Sequence, residues 1–244
     1  MNSIKVGKDL KKNYDNYYEQ QSESQWRKLG AVDKAKNIID ICNTISVDNV
    51  LEIGAGEGSL LQELVDHRFG KNLFALEISK SGIDIINKRK IKKLKEVKLF
   101  DGYMIPYKDK KFDLVILSHV IEHVEHPRIL LKEAMRVAKY IFIEVPLEDT
   151  LFAPTDFKVT RTGHINYYSY KTIRKLLQSS GLKCLNQKIS NPSFAVHKYL
   201  YKNKIKTVIK FGIRHYFFKF LPKLASLFLV YHSYLLLKSN KFKN

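Results

Sequence analysis

The chain has 244 residues with 45% apolar content, enough for one large domain with a full core, and its six prolines and eleven glycines exclude a fibrous or low-complexity chain. Its two cysteines, Cys42 and Cys184, match no metal or redox spacing, which suits a reducing cytosol. The net charge of +19 sits at one end: residues 157–244 hold 18 Lys or Arg and no acid, whereas residues 1–156 hold 25 basic and 24 acidic side chains. Such a one-sided field draws phosphates, anionic lipid or nucleic acid; a lysine-rich solvated face is the plainer reading.

Residues 1–16 show no apolar core of the kind a secretory leader has, and residues 1–24 are polar, with a short helix expected towards their end. They carry Tyr14, Tyr17 and Tyr18, of which Tyr17 or Tyr18 is a candidate to fold over a ligand or simply to pack. A helix is predicted over 26–43, where Leu29, Val32, Ala35, Ile38, Ile39 and Cys42 share one face. Val50, Leu51 and Ile53 then form a buried strand that runs into Gly54-Ala55-Gly56-Glu57-Gly58, and Leu60, Leu61, Leu64 and Val65 open a helix to about residue 67. The small residues let the backbone bend sharply and a ligand approach. The spacing is neither that of a dinucleotide loop nor that of a P-loop, and no Lys follows it. With Glu52 before the loop and Glu57 inside it, a pyrophosphate would be repelled and a cation, ammonium or sulfonium, welcomed. Glu52 to Gly58 resembles the first motif of class I S-adenosylmethionine (SAM) methyltransferases. That resemblance places Glu52 near the methionine amino group and Gly54, Ala55, Gly56 and Gly58 against the cofactor.

A second strand over 72–78 ends in Glu77-Ile78, 25 residues beyond Glu52, where a doubly wound fold puts a carboxylate on two ribose hydroxyls. Ser79 caps a helix that runs to about residue 92, and a third strand spans 97–100. It delivers Asp101-Gly102-Tyr103, a turn pair that also resembles the family position meeting the adenine. A fourth strand over 111–117 is followed by Ser118-His119-Val120-Ile121-Glu122-His123-Val124. Phe112-Asp113-Leu114-Val115 with Val120 to Val124 resembles small-molecule methyltransferases of the type 11 kind, and Gly163-His164 followed by Tyr168 also fits them. The implied architecture is α/β, Rossmann-like and doubly wound, with a seven-stranded mainly parallel sheet and an antiparallel last strand.

Further along, a helix is expected over 128–138, a strand over 140–146, a loop over 150–168 holding Arg161 and His164, a helix over 169–180 stopped by Gly181, and a strand over 182–189. The stretch 196–224 reads as basic, aromatic and helical, and 228–237 as the last strand. The divisions expected are an N-terminal helical segment (1–47), a SAM-binding core (48–190) and a basic aromatic excursion (191–244). The least interrupted apolar run, 224–237, is 14 residues, short of the roughly 20 needed to span a bilayer. Phe217, Phe218 and Phe220 among Lys210, Arg214, Lys219 and Lys223 suit either a cap over the substrate or contact with an anionic membrane surface.

The candidate general bases are His119, His123 and His164, since imidazole titrates near neutrality; Glu122 among them is a further catalytic candidate, and Ser118 beside them a candidate cofactor contact. On a helix, His119, Glu122 and His123 would share a face and form a candidate divalent-metal set. The segment also resembles the metal-binding Glu-x-x-Glu-His of ubiquinone-biosynthesis O-methyltransferases, with His119 standing where the first acid belongs. The function implied is cytoplasmic, SAM-dependent O-methylation of a small anionic acceptor, such as a phosphorylated or nucleotide-linked sugar or a surface-glycan precursor. An RNA methyltransferase is the alternative, against which stand the lack of an Asn-Pro-Pro-Tyr-like segment and of a catalytic Cys near the fourth strand. A non-catalytic SAM-binding or membrane-surface protein is the third reading.

Overall fold

The structure, a computed structural model, describes residues 16, 18, 24–156, 163–201 and 204–240. Tyr17 and Arg161 lie outside the described residues. Seven strands form one sheet in the order β3-β2-β1-β4-β5-β7-β6: β1 (Asn49–Ile53), β2 (Asn72–Glu77), β3 (Leu94–Leu99), β4 (Phe112–Ser118), β5 (Ala138–Pro146), β6 (Leu182–Ser190) and β7 (His232–Ser239). β1 pairs in parallel with both β2 and β4, and β7 runs antiparallel between β5 and β6. The chain winds outward from β1 to β3 and then returns to β4 on the other side of β1. The crevice at the carboxyl ends of β1 and β4 is therefore the topological switch point, where open α/β sheets bind ligands.

Strand residues alternate between two buried layers because successive side chains leave opposite faces of the sheet. Val50, Leu114, Ile116, Phe142 and Leu236 pack under α1 (Ser24–Cys42), α2 (Ser59–Asp66) and α3 (Lys80–Arg89). Leu51, Ile53, Val115, Leu117, Ile143 and Leu235 pack under α4 (Pro127–Val137) and α5 (Tyr170–Ser179). Central strands covered on both sides are apolar throughout, which is why these strands stood out in the sequence.

Three helices, α6 (Phe194–Leu200), α7 (Lys204–Phe220) and α8 (Pro222–Phe228), carry the chain from β6 back to β7. The helical stretch expected over 196–224 is broken at Leu221, which precedes Pro222 and takes a non-helical backbone (φ −137°, ψ 59°). The last strand begins at His232 rather than 228 because α8 uses residues up to Phe228. α3 stops at Arg89, not near 92: Lys90 adopts the left-handed conformation (φ 50°), and β3 starts early, at Leu94. Among the described residues no helix is long and apolar enough to cross a membrane.

The turn after β1 is held by geometry that glycine alone meets comfortably. Gly58 has φ +78°, and a Cβ there would lie 2.9 Å from Ile91 Cδ1 and 3.1 Å from Ile86 Cγ1. Gly58→Ala is expected to destabilise the fold by about 1–3 kcal/mol through backbone strain and overpacking. Gly212, inside α7 with open space around it, is the control. Gly212→Ala should be neutral or stabilising by up to about 1 kcal/mol, and urea unfolding midpoints of the two variants measure the contrast.

Candidate active site

An open cleft lies at the switch point, and its walls are residues from the ends of four strands. Ile53 and Gly54 come from β1 and its turn, Glu77 and Ile78 from the end of β2, Phe100 and Gly102 from beyond β3, and His119, Val120, His123 and Val124 from beyond β4. Tyr18 closes one side, and a Cβ on Gly56 would meet its hydroxyl at 2.7 Å. Gly54 faces Val120 so closely that a Cβ would lie 2.8 Å from Val120 Cγ2. Glycine is thus required here by the two neighbouring strand ends.

Two buried acids, Glu77 in the cleft wall and Glu52 on β1 just before its turn, are in different states. The buried Glu77 carboxylate accepts three backbone N–H bonds, from Gly56 (2.6 Å), Ile78 (2.8 Å) and Ser79 (2.9 Å), and so ties the β1 turn to the end of β2. Glu52 is also buried, but its Oε2 has no hydrogen-bond partner. Burial, and next the negative charge of Glu77 against the opposing pull of Lys34, pushes the Glu52 carboxyl up to about 8. A buried acceptor of this kind is completed by a cationic or hydrogen-donating ligand group. Glu57 does not share that role, contrary to the reading of the loop acids as a cation cradle. Arg27 (2.8 Å) and Arg89 (2.7 Å) pair with its two oxygens and Ser59 donates a third contact (2.6 Å), so its charge is neutralised within the protein.

Other expected cofactor contacts separate into two groups. Gly54, Glu77, Ile78 and Gly102 line the cleft. Ala55 and Tyr103 belong to the packed core, with the Tyr103 hydroxyl accepting from His126 N–H at 3.3 Å, and neither lines the cleft. Asp101 Oδ1 accepts from Tyr103 and Met104 N–H at 2.9 and 2.8 Å, which makes it the organiser of the Gly102 turn. Ser118 is turned towards β5, where its hydroxyl donates to Glu144 at 3.0 Å.

Beyond β4 the histidines are arranged differently from the single helix face expected. His119 adopts the left-handed backbone (φ +57°) and donates its N–H to Glu144 O (2.9 Å); a short 3-10 turn, Ile121–His123, follows. His119, Glu122 and His123 consequently do not form one metal-ligand group. Glu122 and His123 instead gather with His164, and His119 gathers with Glu144 and His232, each group with its ligand atoms within 4.8 Å of one another. In the first group His123 Nδ1 donates to Gly163 O (3.2 Å) and His164 Nδ1 to Glu148 Oε2 (2.6 Å), while the fully buried Glu122 has its Oε1 3.2 Å from His119 Nδ1 and no well-formed side-chain hydrogen bond at either oxygen. In the second, Glu144 accepts from Asn37 (2.8 Å) and Ser118, and His232 lies 3.6 Å away.

The protonation states follow from these surroundings. Burial, helped by Lys34 and His232, pushes the His119 imidazole well below its usual range, so it is neutral at pH 7, and its Nε2 has no hydrogen-bond partner. Burial also lowers His123 and raises Glu122. For His164 burial works against the charged ring, but the hydrogen bond to Glu148 outweighs it and raises the imidazole. For Glu144 burial is likewise outweighed, chiefly by His232, and the carboxyl falls to about 2.

The sequence reading did not single out Asn37, Glu144, Glu148 and His232. An acid amid the apolar Ile141-Phe142-Ile143-Glu144-Val145 and a histidine opening the apolar β7 were the available signals, since a charge on a buried strand requires a partner.

Comparison with known proteins now bears on the same residues. A family model described as a methyltransferase domain matches residues 18–187. The chain belongs to the class I SAM-dependent methyltransferase family. The uncharacterized protein MJ1123 of Methanocaldococcus jannaschii is 30% identical over 143 residues, covering 54% of this chain, which spans 63% of the length of that relative. Among solved structures, the geranyl diphosphate C-methyltransferase of Streptomyces coelicolor, in complex with Mg2+, geranyl diphosphate and S-adenosylhomocysteine (SAH), superposes with a TM-score of 0.62 at 12% identity, over 85% of this chain and 78% of that one. A Haemonchus contortus phosphoethanolamine N-methyltransferase, with phosphomonomethylethanolamine and SAH, gives 0.60 at 13% identity, over 93% and 60%. At such identities the likeness is one of fold, and the doubly wound seven-stranded sheet is shared.

The Glu52 environment yields a test with a definite sign. Its carboxyl is raised in the folded state, so the fold bears no penalty below about pH 4, an increasing one between the unfolded value of 4.5 and the folded value of about 8, and a constant one above. Glu52→Gln should melt with the wild type near pH 4 and above it near pH 9, with a gain on the order of a few kcal/mol. Thermal melts of ligand-free protein across that range measure the difference, and a Gln variant less stable than wild type at high pH would refute the assignment.

Proposed function

We propose that the chain transfers a methyl group from SAM to a small anionic acceptor through the cleft between β1 and β4, by O-methylation. The observation that carries this reading is the pairing, at one switch point, of two buried carboxylates, Glu77 and Glu52, with a neutral histidine whose Nε2 is unpartnered, His119. When bound, SAM supplies a sulfonium-activated methyl to a nucleophile held in line with it.

Glu77, fixed by three N–H donors at the end of β2 and lining the cleft, is the acid for a ribose diol, while Ile78 and Gly102 give the adenine side of the cleft an apolar wall and room. Glu52, with an orphaned oxygen, is the partner for the methionine ammonium. His119 is the group that takes the acceptor hydroxyl proton onto Nε2, its left-handed turn having brought the ring into the cleft wall. Glu148 orients His164, the second candidate base, and His123 stands between His164 and the cleft, with ring centroids 4.7 Å apart. Methyl transfer from a sulfonium requires no metal. Were a divalent ion bound, Glu122, His123 and His164 have the donor set to hold it, and it would polarise an acceptor oxygen.

The basic back third supports an anionic acceptor such as a phosphorylated or nucleotide-linked sugar or a surface-glycan precursor. The phosphate-bearing ligands named for the two structural neighbours are in keeping with it.

Two measurements test the reading. Glu77→Ala is expected to weaken SAH binding by about tenfold or more in calorimetric titration, with the melt showing a retained fold; unchanged affinity would remove Glu77 from the ribose site. His119→Ala should lower turnover by about 100-fold or more while shifting SAH affinity far less. Methyl transfer from labelled SAM to phosphorylated and nucleotide-linked sugars, with RNA in parallel, identifies the acceptor class; transfer to RNA alone would overturn the small-acceptor reading.

A further inference from the structure

α7 shows its apolar side to solvent. An amphipathic helix at the edge of a domain ordinarily buries that side. Here Ile205, Ile209, Ile213, Tyr216 and Phe220, spaced four, four, three and four residues apart, form one exposed stripe along all 17 residues, and Ile205 and Phe220 are 74% and 70% accessible. The stripe is not a frayed or poorly docked face, because the opposite side of the helix is firmly held. Thr207 is buried, Phe211 packs edge-on against Phe194 and His197, and Phe218 stacks on Tyr231 with ring centroids 5.4 Å apart. Arg214 donates to Asn191 Oδ1 (2.6 Å) and lies over the Tyr231 ring at 4.1 Å. Of the three phenylalanines singled out in the sequence, Phe217 and Phe218 are therefore partly buried, and Phe220 alone is exposed.

The stripe continues beyond α7. Leu221, Leu224 and Leu227 are exposed on and beside α8, and the loop bearing Leu151 and Phe152 joins them: Leu151 N–H donates to Leu227 O at 2.8 Å and Phe152 lies against Phe228 at 6.1 Å. The charges beside it have one sign. Lys206 and Lys210 flank the stripe on one side of α7 and Lys219 on the other, with Lys223 on α8, and no acid occurs after Asp156; Asp149 and Asp156 lie on the loop side.

We infer that this surface rests on an anionic lipid bilayer, with the apolar stripe entering the headgroup boundary and the lysines reaching lipid phosphates. Contiguous apolar surface of this extent marks an interaction site. A stripe of isoleucine, tyrosine and phenylalanine bordered by lysines, with acids absent for the last 88 residues, matches the charge and polarity of an anionic leaflet. The inference is independent of the methyl-transfer reading, since it concerns a surface and not the cleft. One connection exists: the Leu151–Phe152 loop follows Glu148, which holds His164, so docking would place the acceptor side of the cleft near the bilayer.

The test is co-sedimentation of the full chain with vesicles of phosphatidylcholine alone and of phosphatidylcholine with about one-third phosphatidylglycerol. Binding is expected to the anionic vesicles, at least about tenfold weaker to the neutral ones, and reduced by high salt. Ile209→Glu with Ile213→Glu, both at exposed positions, should abolish it with the melting temperature retained. Lys71→Glu, a charge change at an exposed residue between α2 and β2, should leave it intact. Failure to sediment with anionic vesicles overturns the inference, as does binding that survives the double substitution. Self-association that the double substitution removes, without vesicle binding, would assign the stripe to a second copy of the chain instead.

Discussion

The carboxylate of Glu77 is the joint on which the site depends. Three backbone N–H groups from two separate turns converge on it, and with the bonds from Gly54 and Ala55 N–H to Leu76 O it holds the end of β1 against the end of β2. Such charge-assisted bonds in a buried setting are stronger than neutral ones and are costly to leave unmade. The glycines obey the same constraint: Gly54 and Gly56 are small because Val120 and Tyr18 approach them, and those approaches form the cleft walls. Removing bulk at the turn and pinning it with an acid are two halves of one arrangement, which keeps the crevice open.

Around this joint the protein buries ionisable groups in unequal states of satisfaction. Glu144 and Glu57 are paired and hydrogen-bonded, and they brace the sheet and the loop. Glu52, Glu122 and His119 each retain a buried polar atom without a hydrogen-bond partner. Buried polar atoms in folded proteins are nearly always satisfied, so these exceptions carry an energetic cost. His119 lines the crevice at the carboxyl end of the parallel sheet, and Glu52 and Glu122 adjoin the lining residues Ile53 and His123 in sequence.

The back third shows a different compromise. β7 must enter the sheet between β5 and β6, and the chain reaches that slot only after three helices that pack against the edge of the domain. Arg214 and Tyr231 lock the longest of these three helices to the strand's approach, which fixes which face of α7 is inward. The outward face is then left apolar and rimmed by lysines. A solvated helix would be expected to carry the reverse pattern.

What could be read from the chain alone was whatever depends on neighbours in sequence. Apolar runs declared β1, β4 and β5, the helical spacing declared α1, α2 and α5, and Ser79 declared a cap whose hydroxyl does accept from Gly82 N–H. The family and the place of the cleft followed from the glycine turn between Glu52 and Gly58. The pairing of distant groups was beyond reach. Nothing local brings Asn37 to Glu144, Glu148 to His164, or Arg27 and Arg89 to Glu57; sheet order and helix packing decide those contacts. Adjacent letters also misled where the backbone departs from a helix: His119, Glu122 and His123 look like one face, but with a left-handed residue at His119 that ring keeps its contact with Glu122 (3.2 Å) while His123 turns to Gly163 and His164. Periodicity records the local backbone, whereas the partner of a buried charge is set by which strands meet, and that is decided only when the sheet closes.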